Sequence, residues 1–338
     1  MTYGVVAIVR NEQANIDRFI AAAKPYISAA TICDTGSSDD TAERIAAAGY
    51  EAHRVEWVNF GQARSAAFAL ARGTADFLLA LDCDMAVEID PDFEPDPEVE
   101  AYMIRMGSAD FSYRLPLLLR GDLPWKSVGA VHEYTALPDR AYVGASTDKV
   151  RVTTHGDRSS REKSLWHAGL LEAELREQPD NARDVFYLAN TYWDLHDPRA
   201  LAMYERRAKM GGYVEETFYS MYRYALLLPT WPAKMQALIK AWEFRPQRLE
   251  PLHELVKELN ARGQHHVAYP LACVPVAPTA DALFVHASVW RWGMKFERSI
   301  AAYWNGHKDE CRDLCNELLA LDIPQYIRDQ VEKNRAFC

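Results

Sequence analysis

A chain of 338 residues exceeds the size at which a single hydrophobic core usually keeps growing, so its length points to two domains. Its 38 Lys and Arg against 48 Asp and Glu give a formal net charge of −10, which argues against a broad electrostatic grip on a polyanion and leaves nucleic acid only a local basic patch. Six scattered cysteines (Cys33, Cys83, Cys273, Cys311, Cys315, Cys338) form no CxxC zinc or redox motif, and Arg10 breaks the one N-terminal apolar run; the expectation is reduced thiols in a soluble, cytoplasmic protein without membrane insertion.

The first half alternates strand and helix signals. GVVAIV at 4–9 is a short β-branched run, and Ile16, Phe19, Ile20 and Ala23 then fall on one helical face. AATICDT predicts a second strand, and GSSDD supplies turn residues and an N-cap for a helix over TAERIAAAG. EAHRVEW reads as a third strand, FGQARSAAFALARG as a helix ending at Gly73, and DFLLALD as a fourth strand. Strands spaced by helices of this length predict βαβ units and a mostly parallel sheet, and such sheets bind ligands at the carboxyl ends of their strands. Arg10, Asn11 and Glu12, then Asp34, then Trp57 and Asn59, then Asp82 and Asp84 follow successive strands and would share that edge.

From about residue 161 the strand signals fade. Leu188, Ala189 and Tyr192, followed by Ala200 and Tyr204, have spacings close to a tetratricopeptide helix pair, one residue short in the turn. Helix-like segments follow at 214–228, 233–244, 249–262, 281–291, 297–304 and 308–321, which predicts an α-α stack. The expected organisation is an α/β domain over 1–160 and an all-α domain over 161–338, the latter also offering a surface for homo-oligomer formation.

Several residues carry chemistry. Asp82 and Asp84, one residue apart after a buried strand, are suited to Mg²⁺ or Mn²⁺ while a substrate diphosphate supplies further oxygens; a solvated loop is the plain alternative. Asp34 can accept from a base N–H or a ribose hydroxyl, or serve as a turn residue. Arg64, in the second turn of its helix, can approach a phosphate or face solvent. PWKSVGAVHEYT brings together Trp125, Gly129, His132 and Glu133: a glycine that allows close backbone approach to a ligand, and a carboxylate able to take a proton from an attacking hydroxyl, unless the stretch is simply a hairpin. His155 can complete a metal shell, and Arg158, Arg161 and Lys163 can fold over a pyrophosphate.

In order along the chain, AIVRNEQANI, ICDTGSSDDT, NFGQARSAAFALARGTADFLLALDCD, WKSVGAVHEY and RAKMGGYVEETFYSMYR resemble the family 2 glycosyltransferases of GT-A fold. More narrowly, they are similar to the bacterial branch of sublancin-type peptide S-glycosyltransferases, whose Rossmann-like catalytic domain is followed by a tetratricopeptide-like helical region. The resemblance implies an inverting, metal-dependent transfer of a sugar from a nucleotide-diphosphate donor, with a UDP-sugar expected. It places Arg10, Asn11 and Glu12 in the nucleotide pocket, Asp34 on the base or ribose, and Arg64 at the nucleotide and phosphates. Asp82 and Asp84 would hold the sugar ribose and the divalent metal, and His155 would be the third metal ligand. Glu133 is the expected base, with His132 as the alternative. The branch usually reads DADE where this chain reads DCDM, so Cys83 and Met85 replace an alanine and a glutamate.

The acceptor is left open among a peptide or protein side chain, a glycan and a hydroxylated base of modified DNA. The helical region favours a peptide or protein, while the cluster Arg199, Arg206, Arg207 and Lys209 keeps DNA in view. Two other classes compete: an inactive GT-A scaffold whose helices bind a protein partner, and a nucleotidyltransferase. VRNEQAN lacks the glycine-rich loop that the latter usually carries after its first strand.

Overall fold

The computed structural model describes residues 1–107, 111–155, 160–277 and 284–338. Along Tyr3–Val9 (β1) the side chains alternate between two buried clusters, Val5, Ala7 and Val9 in one and Val6 in the other. The strand is therefore covered on both faces, which is why its sequence is an unbroken apolar run. Ile16–Ala23 (α1) closes the first face with Ile16, Phe19, Ile20 and Ala23, the four positions expected from the helical period. Phe60–Ala71 (α3) closes the second with Ala67, Phe68 and Ala71. Each large apolar side chain buried in these clusters contributes roughly 1.5–3 kcal/mol relative to an exposed position.

The remaining elements of this half are Ala29–Asp34 (β2), Thr41–Ala47 (α2), Ala52–Arg54 (β3), Phe77–Ala80 (β4), Met85–Ile89 (β5), Ala101–Gly107 (β6), Phe111–Arg120 (β7), Lys126–Val128 (β8), Tyr134–Ala136 (β9), Gly144–Thr147 (β10) and Val150–Thr154 (β11). The main sheet runs β10–β6–β7–β4–β1–β2–β3. Its β1/β2, β1/β4, β2/β3 and β6/β10 pairs are parallel and its β4/β7 pair is antiparallel, giving a mostly parallel sheet. The carboxyl ends of β1, β2, β3 and β4 consequently lie along one edge. Two small antiparallel pairs stand beside it, β5 with β11 and β8 with β9.

Helices take over at Arg161–Glu177 (α4) and Ala182–Asp194 (α5), which belong to the same compact unit as the sheet; that unit comprises Met1–Gly107 and Tyr113–Leu195. The second unit holds His196–Cys338 with the short segment ending at Ser112, against which Val285–His286 (β12) pairs. Its helices are Arg199–Met210 (α6), Val214–Leu227 (α7), Trp231–Phe244 (α8), Glu250–Ala261 (α9), His265–Ala272 (α10), Met294–Trp304 (α11), Lys308–Leu319 (α12) and Gln325–Phe337 (α13), each packed on the next. The positions that suggested a helix pair, Leu188, Ala189, Tyr192, Ala200 and Tyr204, are all buried.

Three expectations for the helical region change. The helix expected over 281–291 lies partly outside the described residues; Val285–His286 is strand β12, and helix runs from 287 through a π-helical turn, Val289–Gly293, into α11. Of the basic cluster, Arg207 is buried and paired with Glu216 at 3.1 Å, while Arg199 and Lys209 are exposed and pair with Asp197 and Glu205. Finally, Cys311 and Cys338 are joined as a disulfide, whereas Cys33, Cys83, Cys273 and Cys315 are free. No helix among the described residues is long and apolar enough to cross a membrane.

Candidate functional site

The β1–α1 and β2–α2 loops brace one another at the carboxyl edge of the sheet. Asn11 adopts φ 56°, a left-handed conformation that asparagine tolerates. Its N–H donates to Ser37 Oγ at 2.9 Å, and its Oδ1 accepts from Ser38 N at 2.8 Å. Glu12 N donates to Thr41 Oγ1 at 2.7 Å, and Arg10 is exposed beside them. Asp34, buried at the end of β2, accepts from Gly36 N (3.0 Å), Ser37 N (2.8 Å) and Ser37 Oγ (2.8 Å) through Oδ1. The carboxylate expected at a base or ribose thus also builds the turn that Asn11 grips.

Arg64 connects three elements. From the second turn of α3 its Nη2 donates to Asp82 Oδ1 at 2.6 Å and its Nε to Glu133 Oε1 at 2.8 Å. Burial disfavours the charge on Arg64, and the two carboxylates more than offset it, raising its pKa. Burial likewise pushes the Asp82 carboxyl up, but the charge and hydrogen bond of Arg64, with Lys163 adding to them, leave it below the usual range. The Asp82 side chain is 47 % exposed, so pairing rather than burial decides that direction.

Backbone contact explains why Glu133 reaches Arg64. Phe60 N and Gly61 N, at the start of α3, donate to Ala130 O and Gly129 O at 3.2 Å, tying the helix to the turn between β8 and β9. A Cβ on Gly61 would stand 2.4 Å from Gly129 O, so only glycine permits this approach. Gly129, expected to allow close approach of a ligand, has φ 118°, and its carbonyl is the one that Gly61 approaches.

Asp84 and His155 meet through the β5/β11 pair, with His155 N donating to Asp84 O at 2.7 Å. Among the described residues no group of three or more His, Cys, Asp or Glu is arranged to hold a metal, so Asp82, Asp84 and His155 do not form a three-residue shell. Asp82 faces Arg64 instead. Asp84 and His155 are joined through backbone, and the His155 ring has Nε2 3.4 Å from Thr153 Oγ1. Met85 acquires a structural role: its N–H donates to Asp82 O at 2.9 Å and its sulfur accepts from Asp82 N at 3.4 Å, closing the DCDM turn. Cys83 is buried, which raises its thiol pKa and makes it packing rather than a nucleophile.

His132 sits at φ 54°, stacked on Tyr187 with ring centroids 4.4 Å apart and 5.7 Å from the His167 ring. Crowding and burial, followed by the charges of His167, Arg183 and Lys163, lower its pKa to about 4; burial and Lys163 lower that of His167 likewise to about 4. The residue as a whole is exposed, and the neighbouring positive charges act with the packed ring in favouring a neutral imidazole at pH 7. Arg161 turns away from the edge, its Nη1 reaching Leu195 O at 3.5 Å, and Arg158 lies outside the described residues. Lys163 is close enough to add positive charge at Asp82, His132 and His167. His167, Tyr187 and Arg183 carry no sequence signal toward this site, since they stand on helices α4 and α5, far along the chain from the strand-end residues.

No known family model matches the chain, and no curated protein matches it. Among solved structures, it is similar to MamA at 14% identity and TM-score 0.38, covering 51% of this chain and 93% of that one. A tetratricopeptide repeat protein from Parabacteroides merdae matches at 14% identity and TM-score 0.38, over 52% of this chain and 66% of that one. Glucosyl-3-phosphoglycerate synthase from Mycobacterium tuberculosis, in complex with Mn²⁺, UDP and glucosyl-3-phosphoglycerate, matches at 21% identity and TM-score 0.25, over 30% of this chain and 43% of that one. The chain thus spans less than half of the synthase, and with every TM-score below 0.5 none of these likenesses bears on function.

Proposed function

We propose that the chain is an inverting glycosyltransferase of GT-A fold that moves a sugar from a nucleotide-diphosphate donor, a UDP-sugar by preference, to a hydroxyl or thiol acceptor. The observation that carries the reading is the Arg64 pair of bonds, which joins a strand-end carboxylate, Asp82, to a half-buried carboxylate, Glu133, at the edge of a mostly parallel sheet where such folds bind ligands. Arg10, Asn11, Glu12 and Asp34 would receive the nucleoside. Asp84 and His155 would hold a divalent cation, Mn²⁺ or Mg²⁺, which when bound supplies charge that neutralises the departing diphosphate. Arg64 and Lys163 would add fixed positive charge beside it.

Glu133, held in place by Arg64, would take the proton from the acceptor as it attacks the anomeric carbon from the face opposite the diphosphate, so that one displacement inverts the configuration. His132, a neutral imidazole at pH 7 and stacked on Tyr187, is the alternative base. The sheet region, 1–160, would carry the donor site and the helices of 161–338 would select the acceptor, a peptide, protein or glycan. Slow donor hydrolysis, with water as acceptor, tests the base: Glu133→Gln should lower the rate by about 10²-fold or more while keeping the bond to Arg64. Equal hydrolysis by the two proteins would remove Glu133 from that role.

A further inference from the structure

The first turn of α3, the β8–β9 hairpin and the α4–α5 junction enclose a cavity of about 530 Å³ to which none of the roles above is assigned. Its volume is that of a small-molecule site. Its lining holds four amide residues: Asn59, whose Oδ1 caps α3, Gln62 in the first turn of α3, Gln178, whose Nε2 donates to Glu174, and Asn181, whose Oδ1 caps α5; each keeps further amide donor or acceptor capacity. An amide offers both donors and an acceptor, as a hydroxyl does, and a wall of amides suits a neutral ligand dense in hydroxyl groups. The charges in the lining balance, Lys126 and Arg183 against Glu174 and Asp184, which gives no net attraction for a polyanion. Tyr134 adds a partly exposed aromatic face, with Arg183 4.8 Å over its ring.

A second observation singles out the same wall. Ser127, 7 % exposed and lining the cavity, has a buried Oγ with no hydrogen-bond partner among the described residues, although its main-chain N and O are both engaged by Ser65 Oγ. Such a hydroxyl is unfavourable unless something satisfies it, and a ligand hydroxyl would do so. The cavity also shares a wall with the base. Gly129 and Ala130 line it, and a Cβ on Gly129 would lie 3.3 Å from the Cα of Glu133.

We infer that this cavity is the acceptor subsite and that it takes a neutral saccharide, so that the acceptor is a glycan; the inference rests on the glycosyltransferase reading for its place in the reaction. The probe is a panel of neutral di- and trisaccharides of glucose, galactose, mannose and N-acetylglucosamine, mixed with the full chain without donor and read by saturation-transfer NMR. At least one should bind the wild type, and Gln62→Ala and Gln178→Ala, both checked by circular dichroism for intact fold, should each weaken it about fivefold, the loss of one hydrogen bond. No binding by any saccharide, binding that neither variant changes, or binding of an unglycosylated peptide that both variants weaken in its place would overturn the inference. Nucleotide-sugar binding by the wild type is measured separately: its absence alongside saccharide binding that both variants weaken would leave the cavity a sugar site while removing the transferase reading.

Discussion

Arg64 Nε donates to Glu133 Oε1 across 2.8 Å, joining residues 69 positions apart in the chain. That bond places the proposed base beside the strand-end loop that carries Asp82, because the same guanidinium reaches both carboxylates.

Removing the guanidinium should be costly at both ends. Arg64→Met leaves two carboxylates facing each other without a cation, one of them on a side chain only 13 % exposed, and should destabilise the protein by about 1–3 kcal/mol in denaturant titration. Arg64→Lys should recover only part of this, since an ammonium lacks the planar fork that serves both partners. Full recovery by lysine would mean that charge alone, rather than geometry, holds the three residues.

The glycine contacts predict opposite signs at two positions. Gly61→Ala would push a Cβ to 2.4 Å from Gly129 O and force α3 off the hairpin, lowering stability by about 1–3 kcal/mol and disturbing Glu133. Gly169→Ala, inside α4 with nothing within 4 Å, should raise stability by about 0.5–1 kcal/mol. Thermal melting of the two variants checks the contrast, and a neutral Gly61→Ala would show that α3 and the hairpin are not held by that approach.

Acidification should loosen the same region. His167 has its pKa lowered from 6.5 to about 4, first by burial and then by the charge of Lys163, and the more exposed His132 is shifted in the same direction. The unfolded chain therefore takes up protons at pH values where the folded chain does not, and stability present above about pH 6.5 is lost progressively as the pH falls toward about 4. His167→Gln should reduce the drop in melting temperature between about pH 7.5 and about pH 5. An unchanged drop would show that His167 takes up its proton in the folded state as readily as in the unfolded one.

Much of the sheet was legible because it is local: the apolar runs of β1, β2 and β4 and the 16, 19, 20, 23 face of α1 follow from periodicity alone. The order of strand-end polar residues was legible for the same reason. What escaped depends on distant partners. Nothing in the spacing of Arg64 and Glu133 predicts their bond, and Arg207 reads as surface charge until Glu216 is seen buried against it. Gly129 signalled a close approach without saying to what, and the sulfur of Met85 gained a role only once Asp82 N was found beside it. The helical character begins at Arg161 whereas the first compact unit continues to Leu195, and through α4 and α5 His167, Tyr187 and Lys163 come to surround His132.

The central claim is that the strand-end edge binds a nucleotide-diphosphate sugar through Asp84, and calorimetric titration tests it most directly. With Mn²⁺ present and a panel of nucleotide sugars, the wild type should bind at least one donor, UDP-sugars first, and Asp84→Ala should weaken that binding about tenfold or more. Equal affinity of the two proteins for every donor, or no binding of any donor by the wild type, would contradict it.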